Sequence, residues 1–163
     1  MPTTETFEEF VHATGDRLLR TAVLLCGDRH QAEDLVQSAY ATAYARWKLV
    51  SRAENPVAYT RQILTRTFLS EKRRKRVSEL PLEYGADRAS PGPDPTRRLA
   101  LLDALAGLPR MDRAVLVLRY WEDLPVAEAA DQLGITESAC RTRSSRALAR
   151  LRTLYPDLSD QED

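Results

Sequence analysis

Between Val77 and Thr96 the chain loses every trace of periodicity. This stretch, VSELPLEYGADRASPGPDPT, holds four of the nine prolines and two of the six glycines of the whole sequence. Proline removes a backbone donor and disfavours helical geometry in the residue before it, so no regular element can run through such a segment. It reads as a flexible linker, with 76 residues before it and 67 after it. On both sides apolar residues recur at three- and four-residue steps, and the two-residue alternation of strands is absent. The expectation is an all-α chain made of two small helical domains.

Helix signals before the linker are explicit. Thr6 and Glu9 make a capping box ahead of FEEFVHATGDRLLRTAVLLC, where Phe7, Phe10, Val11, Leu18, Ala22 and Cys26 keep helical spacing and Gly27 can stop the helix. Asp28 can cap a second helix whose stripe is Ala32, Leu35, Val36, Ala39, Tyr40, Ala43, Tyr44 and Trp47. Glu33, Asp34, Gln37 and Ser38 fall off that stripe and are open to a partner. Asn55 followed by Pro56 opens a third helix with Val57, Ile63, Leu64 and Phe68 inward and the run EKRRKR at its end. Phe68 reads as core in preference to a stacking platform.

After the linker, RRLALLDALAGLP and MDRAVLVLRYW read as two helices, the first with Leu99, Leu102 and Leu105 in a stripe. Then Pro125 can start a helix carrying Val126, Ala129, Ala130 and Leu133. Gly134 permits a left-handed turn, Ile135 can plug the core and Thr136 can cap the final helix. This is a helix-turn-helix pattern. On the final helix Cys140, Ser144, Ala147, Leu148 and Leu151 share one face, and Arg141, Thr142, Ser145, Arg146 and Arg150 spread over the rest. A recognition helix needs arginines and hydroxyls there. Glu137 to Ser145 would enter a major groove, with Arg141 and Ser145 able to reach base edges and Arg143, Arg146 and Arg150 better placed for phosphates.

The formal net charge is zero, yet charge is segregated. Arg61 to Arg76 holds seven basic residues and one acid, and Arg141 to Arg152 holds five basic residues and no acid, so the remainder carries −11. Two basic patches on an acidic body are the footprint of nucleic-acid binding. At about 3.3 to 3.6 Å per residue the linker reaches at most about 70 Å, roughly 20 base pairs of B-DNA, so one chain can hold two separated DNA elements.

Other classes find little support. With only His12 and His30, no Gly-rich phosphate loop, and Glu33-Asp34 better read as helix surface, no enzyme, metal site or cofactor is expected. Cys26 and Cys140 read as small buried hydrophobes. No apolar run approaches the length of a membrane span, and the acidic N-terminus is unlike a secretory signal, so a cytoplasmic location is expected.

The segment AEDLVQSAYATAYARW, the basic end of the third helix, the Pro-rich linker and the segment ALAGLPRMDRAVLVLRYWEDLPVAEAADQLGITESACRTRSSRALARLR together resemble the extracytoplasmic-function sigma factors of the bacterial sigma-70 family. The most specific parts are Asp34-Leu35-Val36-Gln37, the LP-x-x-x-R-x-V-x-x-L-R-Y stretch from Leu108 to Tyr120, and the helix-turn-helix ending in Arg146-Ala147 and Leu151-Arg152. The resemblance implies an alternative sigma factor that directs core RNA polymerase to specific promoters and helps open the minus-ten region. It implies a region 2-like domain at 1–76, the linker at 77–96, a region 4-like domain at 97–155 and an acidic tail at 156–163.

By the same resemblance, Asp34, Leu35 and Gln37 dock the clamp of the polymerase, and its flap is a second contact. Arg61, Arg66, Lys72, Arg73, Arg74 and Arg76 would hold the minus-ten element of promoter DNA. Glu137, Ser138, Arg141, Thr142, Arg143, Ser145 and Arg146 would read the minus-thirty-five element. An anti-sigma factor is a partner the resemblance leaves room for. Arg66, where relatives often carry asparagine, and Glu71, where an aromatic is common, leave the minus-ten base preference open. Arginine outnumbers lysine 21 to 3, which points to a GC-rich bacterial genome. The alternative reading is a dimeric helix-turn-helix regulator that acts without polymerase.

Overall fold

The computed structural model describes residues 5–71 and 95–155, with backbone alone for 95–97, and every element among them is helical. Lys72, Arg73, Arg74 and Arg76 of the expected minus-ten set lie outside the described residues, as do most of the expected linker and the acidic tail. Internal contacts divide the chain into two compact units, Met1–Ser70 and Glu71–Asp163.

The first unit consists of α1 (Phe7–Cys26), α2 (Arg29–Ala45), α3 (Trp47–Arg52) and α4 (Pro56–Ser70). Its helix ends are set by local chemistry. Thr6 Oγ1 accepts from the Glu9 N–H at 3.2 Å, Asp28 Oδ2 from the Gln31 N–H at 3.1 Å, and Asn55 Oδ1 from the Ala58 N–H at 3.1 Å. Gly27, at φ 75°, donates its N–H to the Val23 carbonyl at 2.7 Å and closes α1. One break differs from expectation. The second helix ends at Ala45 instead of running through Trp47, and α3 starts after Arg46 at φ −110°. After that bend Val50 is completely buried, and the Trp47 ring centroid lies 5.4 Å from that of Phe7 and 5.3 Å from that of Phe10, close enough for edge and tilted aromatic packing.

Helix α2 packs against both α1 and α4. Ala32, Ala39 and Ala43 are fully buried, and their small side chains let the neighbouring helices come close enough to enclose Leu35 and Val36. Phe10, Leu18 and Leu25 of α1 and Leu64 and Phe68 of α4 fill the rest, so Phe68 is core. Buried threonines stay satisfied by their own helices, as where Thr14 donates to the Phe10 carbonyl at 2.7 Å and Thr65 to the Arg61 carbonyl at 2.9 Å.

Two expected site residues turn out to be interior. Leu35 has no exposed surface and lies on the same face as Ala32 and Ala39, so it cannot itself touch a docking partner. Arg61 is only 3% exposed because it shares the inward face of α4 with Leu64, Thr65 and Phe68, one and two turns on. Its charge does not contribute to a phosphate-facing patch.

The second unit consists of α5 (Pro95–Ala106), α6 (Arg110–Leu116) running on into a π-helical turn over Val117–Trp121, α7 (Val126–Leu133) and α8 (Glu137–Leu154). Helix α5 begins at Pro95, so Pro95 and Thr96 are helical and not linker. The core is built on Val115, Leu118, Ala129, Cys140 and Ala147. Two arginines of α6 and its extension tie loops by donating to carbonyls. Arg113 Nη2 reaches Ala106 at 3.3 Å and Leu108 at 3.1 Å, closing the end of α5. Arg119 Nη1 reaches Leu124 at 2.6 Å across a turn in which Asp123 takes the left-handed conformation at φ 55°.

These placements separate neighbours on α2. Leu35→Ala is expected to cost about 2 to 5 kcal/mol, the range for a truncated core leucine. Gln37→Ala, exposed two residues away, should change stability by less than about 0.5 kcal/mol. Urea unfolding of the full chain, followed by Trp47 fluorescence in a Trp121→Phe background, measures both, and equal effects would contradict the burial of Leu35.

Candidate nucleic-acid interface and docking face

Helix α7 stops at Gly134, whose φ of 69° suits glycine, and the Ile135 N–H returns to the Ala130 carbonyl at 3.0 Å while the Gly134 N–H bonds Asp131 at 3.2 Å. Both bonds satisfy carbonyls that the end of the helix would leave unpaired. Ile135 is half-buried in the turn. Thr136 Oγ1 then accepts from the Ala139 N–H at 3.0 Å and starts α8. Cys140, Ser144, Ala147 and Leu151 are buried along one face of α8, which packs on α6 and α7. Burial pushes the Cys140 thiol above its ordinary range, partly offset by Arg119 and Arg141, so it packs as a small neutral side chain.

The opposite side of α8 is polar and open. Glu137, Ser138, Arg141, Thr142, Ser145 and Arg146 are all exposed. Arg141 stands 3.9 Å from Glu137 one turn earlier, a solvated pair that constrains it little. Arg143 is different. Its Nη1 donates to Asp112 Oδ1 of α6 at 2.8 Å, and Asp112 is only 3% exposed. Expected to face DNA, Arg143 instead sits on the flank of α8 nearest α6 and is paired with a buried carboxylate, with 36% of its side chain still exposed. Arg146, one turn on, reaches the same oxygen at 3.9 Å while keeping 60% of its side chain exposed.

In the first unit Glu33, Asp34, Gln37 and Ser38 form one exposed flank of α2. Asp34 and Glu33 lie within ion-pair distance of His30 (4.0 Å) and Arg29 (3.1 Å) on the preceding turn. Beside Gln37 an open groove of about 500 Å³ runs between α1 and α2, lined by Phe7, Val11, Tyr40, Ala41 and Tyr44. Periodicity places these aromatics on the apolar stripes of their helices, yet Tyr44 is 66% exposed. Arg66 is exposed on α4. Among the described residues no cluster of His, Cys, Asp and Glu could hold a metal ion, and no helix is long and apolar enough to cross a membrane.

Residues 10–77 match the family model of sigma-70 region 2, and residues 98–151 match that of sigma-70 region 4. The RNA polymerase sigma-E factor of Streptomyces coelicolor is 37% identical over 150 residues, covering 90% of this chain and 84% of that protein. The ECF RNA polymerase sigma factor SigL of Mycobacterium tuberculosis is 29% identical, covering 86% and 84%. This chain belongs to the extracytoplasmic-function sigma factors. Among solved structures, the sigma factor RpoE of Bartonella quintana, in complex with the anti-sigma factor NepR, shares the fold with a TM-score of 0.70 at 24% identity, covering 91% of this sigma factor and 95% of that chain. CnrH, in complex with the cytosolic domain of CnrY, does so at 0.60 and 20% identity, covering 96% and 89%.

Within region 4 of this sigma factor, the arginines of the Leu108 to Tyr120 motif serve the fold. Arg113 and Arg119 hold carbonyls, and Asp112 between the motif positions receives α8. A motif read from sequence does not distinguish arginines that build a surface from arginines that support it. Arg143→Ala should therefore cost about 1 to 3 kcal/mol, since it strips a buried carboxylate of its nearest partner. Arg141→Ala should stay within about 0.5 kcal/mol. Chemical denaturation of the two variants compares them, and a smaller loss for Arg143→Ala than for Arg141→Ala would contradict the tie.

Proposed function

We propose that this sigma factor binds core RNA polymerase, directs it to specific promoters and helps open the minus-ten region, with no catalysis of its own. The observation that carries the reading is the order of the two matched regions, 2 then 4, with an exposed arginine and hydroxyl face on the last helix of the second. The domain roles follow that order: 1–76 for the clamp and the minus-ten element, a connector up to residue 94, the helical residues from Pro95 to 155 for the minus-thirty-five element, and 156–163 as an acidic tail.

In this mechanism α8 enters the major groove of the minus-thirty-five element by its N-terminal turns. Arg141 and Ser145 reach base edges, Arg146 and Arg150 reach phosphates, and Glu137, Ser138 and Thr142 supply further donors and acceptors. Asp34 and Gln37 dock the clamp, and Leu35 supports them from the core. Arg66, with Lys72, Arg73, Arg74 and Arg76, holds the minus-ten strand. Capturing an unstacked base there costs a few kcal/mol, which basic contacts and stacking recover. Elsewhere the body is acidic and opposes DNA, so the polymerase supplies the affinity that the free chain lacks.

The purified chain added to core RNA polymerase should support run-off transcription from a defined promoter. Asp34→Ala combined with Gln37→Ala should weaken binding to core polymerase about tenfold or more, the equivalent of about 1.4 kcal/mol, without unfolding the chain. Unchanged polymerase affinity would count against the clamp assignment. Tight, sequence-specific binding by a dimer without polymerase would favour a conventional regulator instead.

A further inference from the structure

Asp112 is the one acid that the described structure buries against the arginines of α8. It is 3% exposed, and a carboxylate so buried needs positive partners. Arg143 Nη1 at 2.8 Å and Arg146 Nη2 at 3.9 Å meet the same Oδ1. Both arginines project from one flank of α8, three residues apart, and their side chains remain 36% and 60% exposed. Each is long enough to swing outward if the carboxylate lost its charge.

We propose that Asp112 is a positioning residue for DNA binding: it withholds Arg143 from the phosphates and holds Arg146 at the edge of the groove, so that α8 presents fewer charges than its sequence carries. The inference rests on the reading of α8 as a DNA-facing helix. Each arginine that pairs with a phosphate adds affinity for every sequence alike and steepens the dependence on salt. A factor meant to find promoters only with polymerase gains from keeping that indiscriminate term small. Asp112 does so from the interior, by pairing a cation before DNA can, and it leaves Arg141 on the other flank untouched.

The test is the salt dependence of duplex binding by the full chain, using a DNA of scrambled sequence. Asp112→Asn keeps the size of the side chain and removes its charge. Log affinity should then fall more steeply with log salt by about 0.9, with roughly threefold tighter binding at low salt, as one added phosphate contact requires. Asp112→Asn with Arg143→Gln, which restores the net charge, should return to the wild-type slope. A purely structural tie would lower the unfolding midpoint of Asp112→Asn and leave the slope alone, and that result overturns the proposal. Should Asp112→Asn fail to fold, Arg143→Gln in the wild-type background decides: the proposal requires an unchanged slope, and a loss as large as that of Arg146→Gln overturns it. If neither Arg141→Ala nor Arg146→Ala alters DNA binding, α8 is not the DNA face, and the reading falls together with the proposal.

Discussion

The rotation of α8 about its own axis determines everything that its outer face can do. That rotation is held at two levels. Cys140, Ser144, Ala147 and Leu151 bury one stripe, and the contact of Arg143 with Asp112 pins the flank beside it to α6. A helix seated by apolar side chains alone tolerates small slips, because the hydrophobic effect is not directional. A 2.8 Å bond between a guanidinium and a buried carboxylate does not, since misalignment leaves a charge unpaired in the interior. With α8 held this way, Arg141 and Ser145 point outward together, Arg146 stands at the edge and Arg143 is withdrawn.

The first unit solves a different problem, that of keeping one polar flank of α2 open while the helix packs on two sides. Alanines at 32, 39 and 43 make this feasible, since they spend little width on packing and let α1 and α4 close around Leu35. Asp34 and Gln37 then stay on the surface, because Leu35 and Val36 between them are buried against the neighbouring helices. The exposed groove next to Gln37, with Tyr40 and Tyr44 on its wall, extends that flank with apolar surface.

Much of this was legible in the sequence wherever the determinant is local. Thr6, Asp28, Asn55 and Thr136 each cap the helix that their position announces, and Gly27 and Gly134 adopt the left-handed conformation that ends the helix before them. Apolar periodicity also placed Phe68 in the core and the flank of Glu33, Asp34, Gln37 and Ser38 outside it. Two residues placed otherwise than expected are Arg61, which is interior, and Arg143, which is paired to α6, and each looks like any other arginine of its basic run. For Arg61 the sequence carries a signal, since it lies at helical spacing from Leu64, Thr65 and Phe68. For Arg143 the partner is Asp112, 31 positions away. The separate α3 was hidden because Trp47 continues the stripe of α2 by count, and only the packing of its ring on Phe7 and Phe10 reveals the bend.

The claim at the centre of this account is that α8 faces DNA in the observed rotation, with Arg141 toward the bases and Arg146 toward the backbone. Selection from a library of promoters randomised at the minus-thirty-five element, by polymerase carrying wild-type, Arg141→Ala or Arg146→Ala factor, measures it directly. The account predicts that Arg141→Ala relaxes preference at one position by about 1 to 3 kcal/mol, whereas Arg146→Ala weakens all sequences alike. Full base preference retained in Arg141→Ala, together with altered preference in Arg146→Ala, would contradict it.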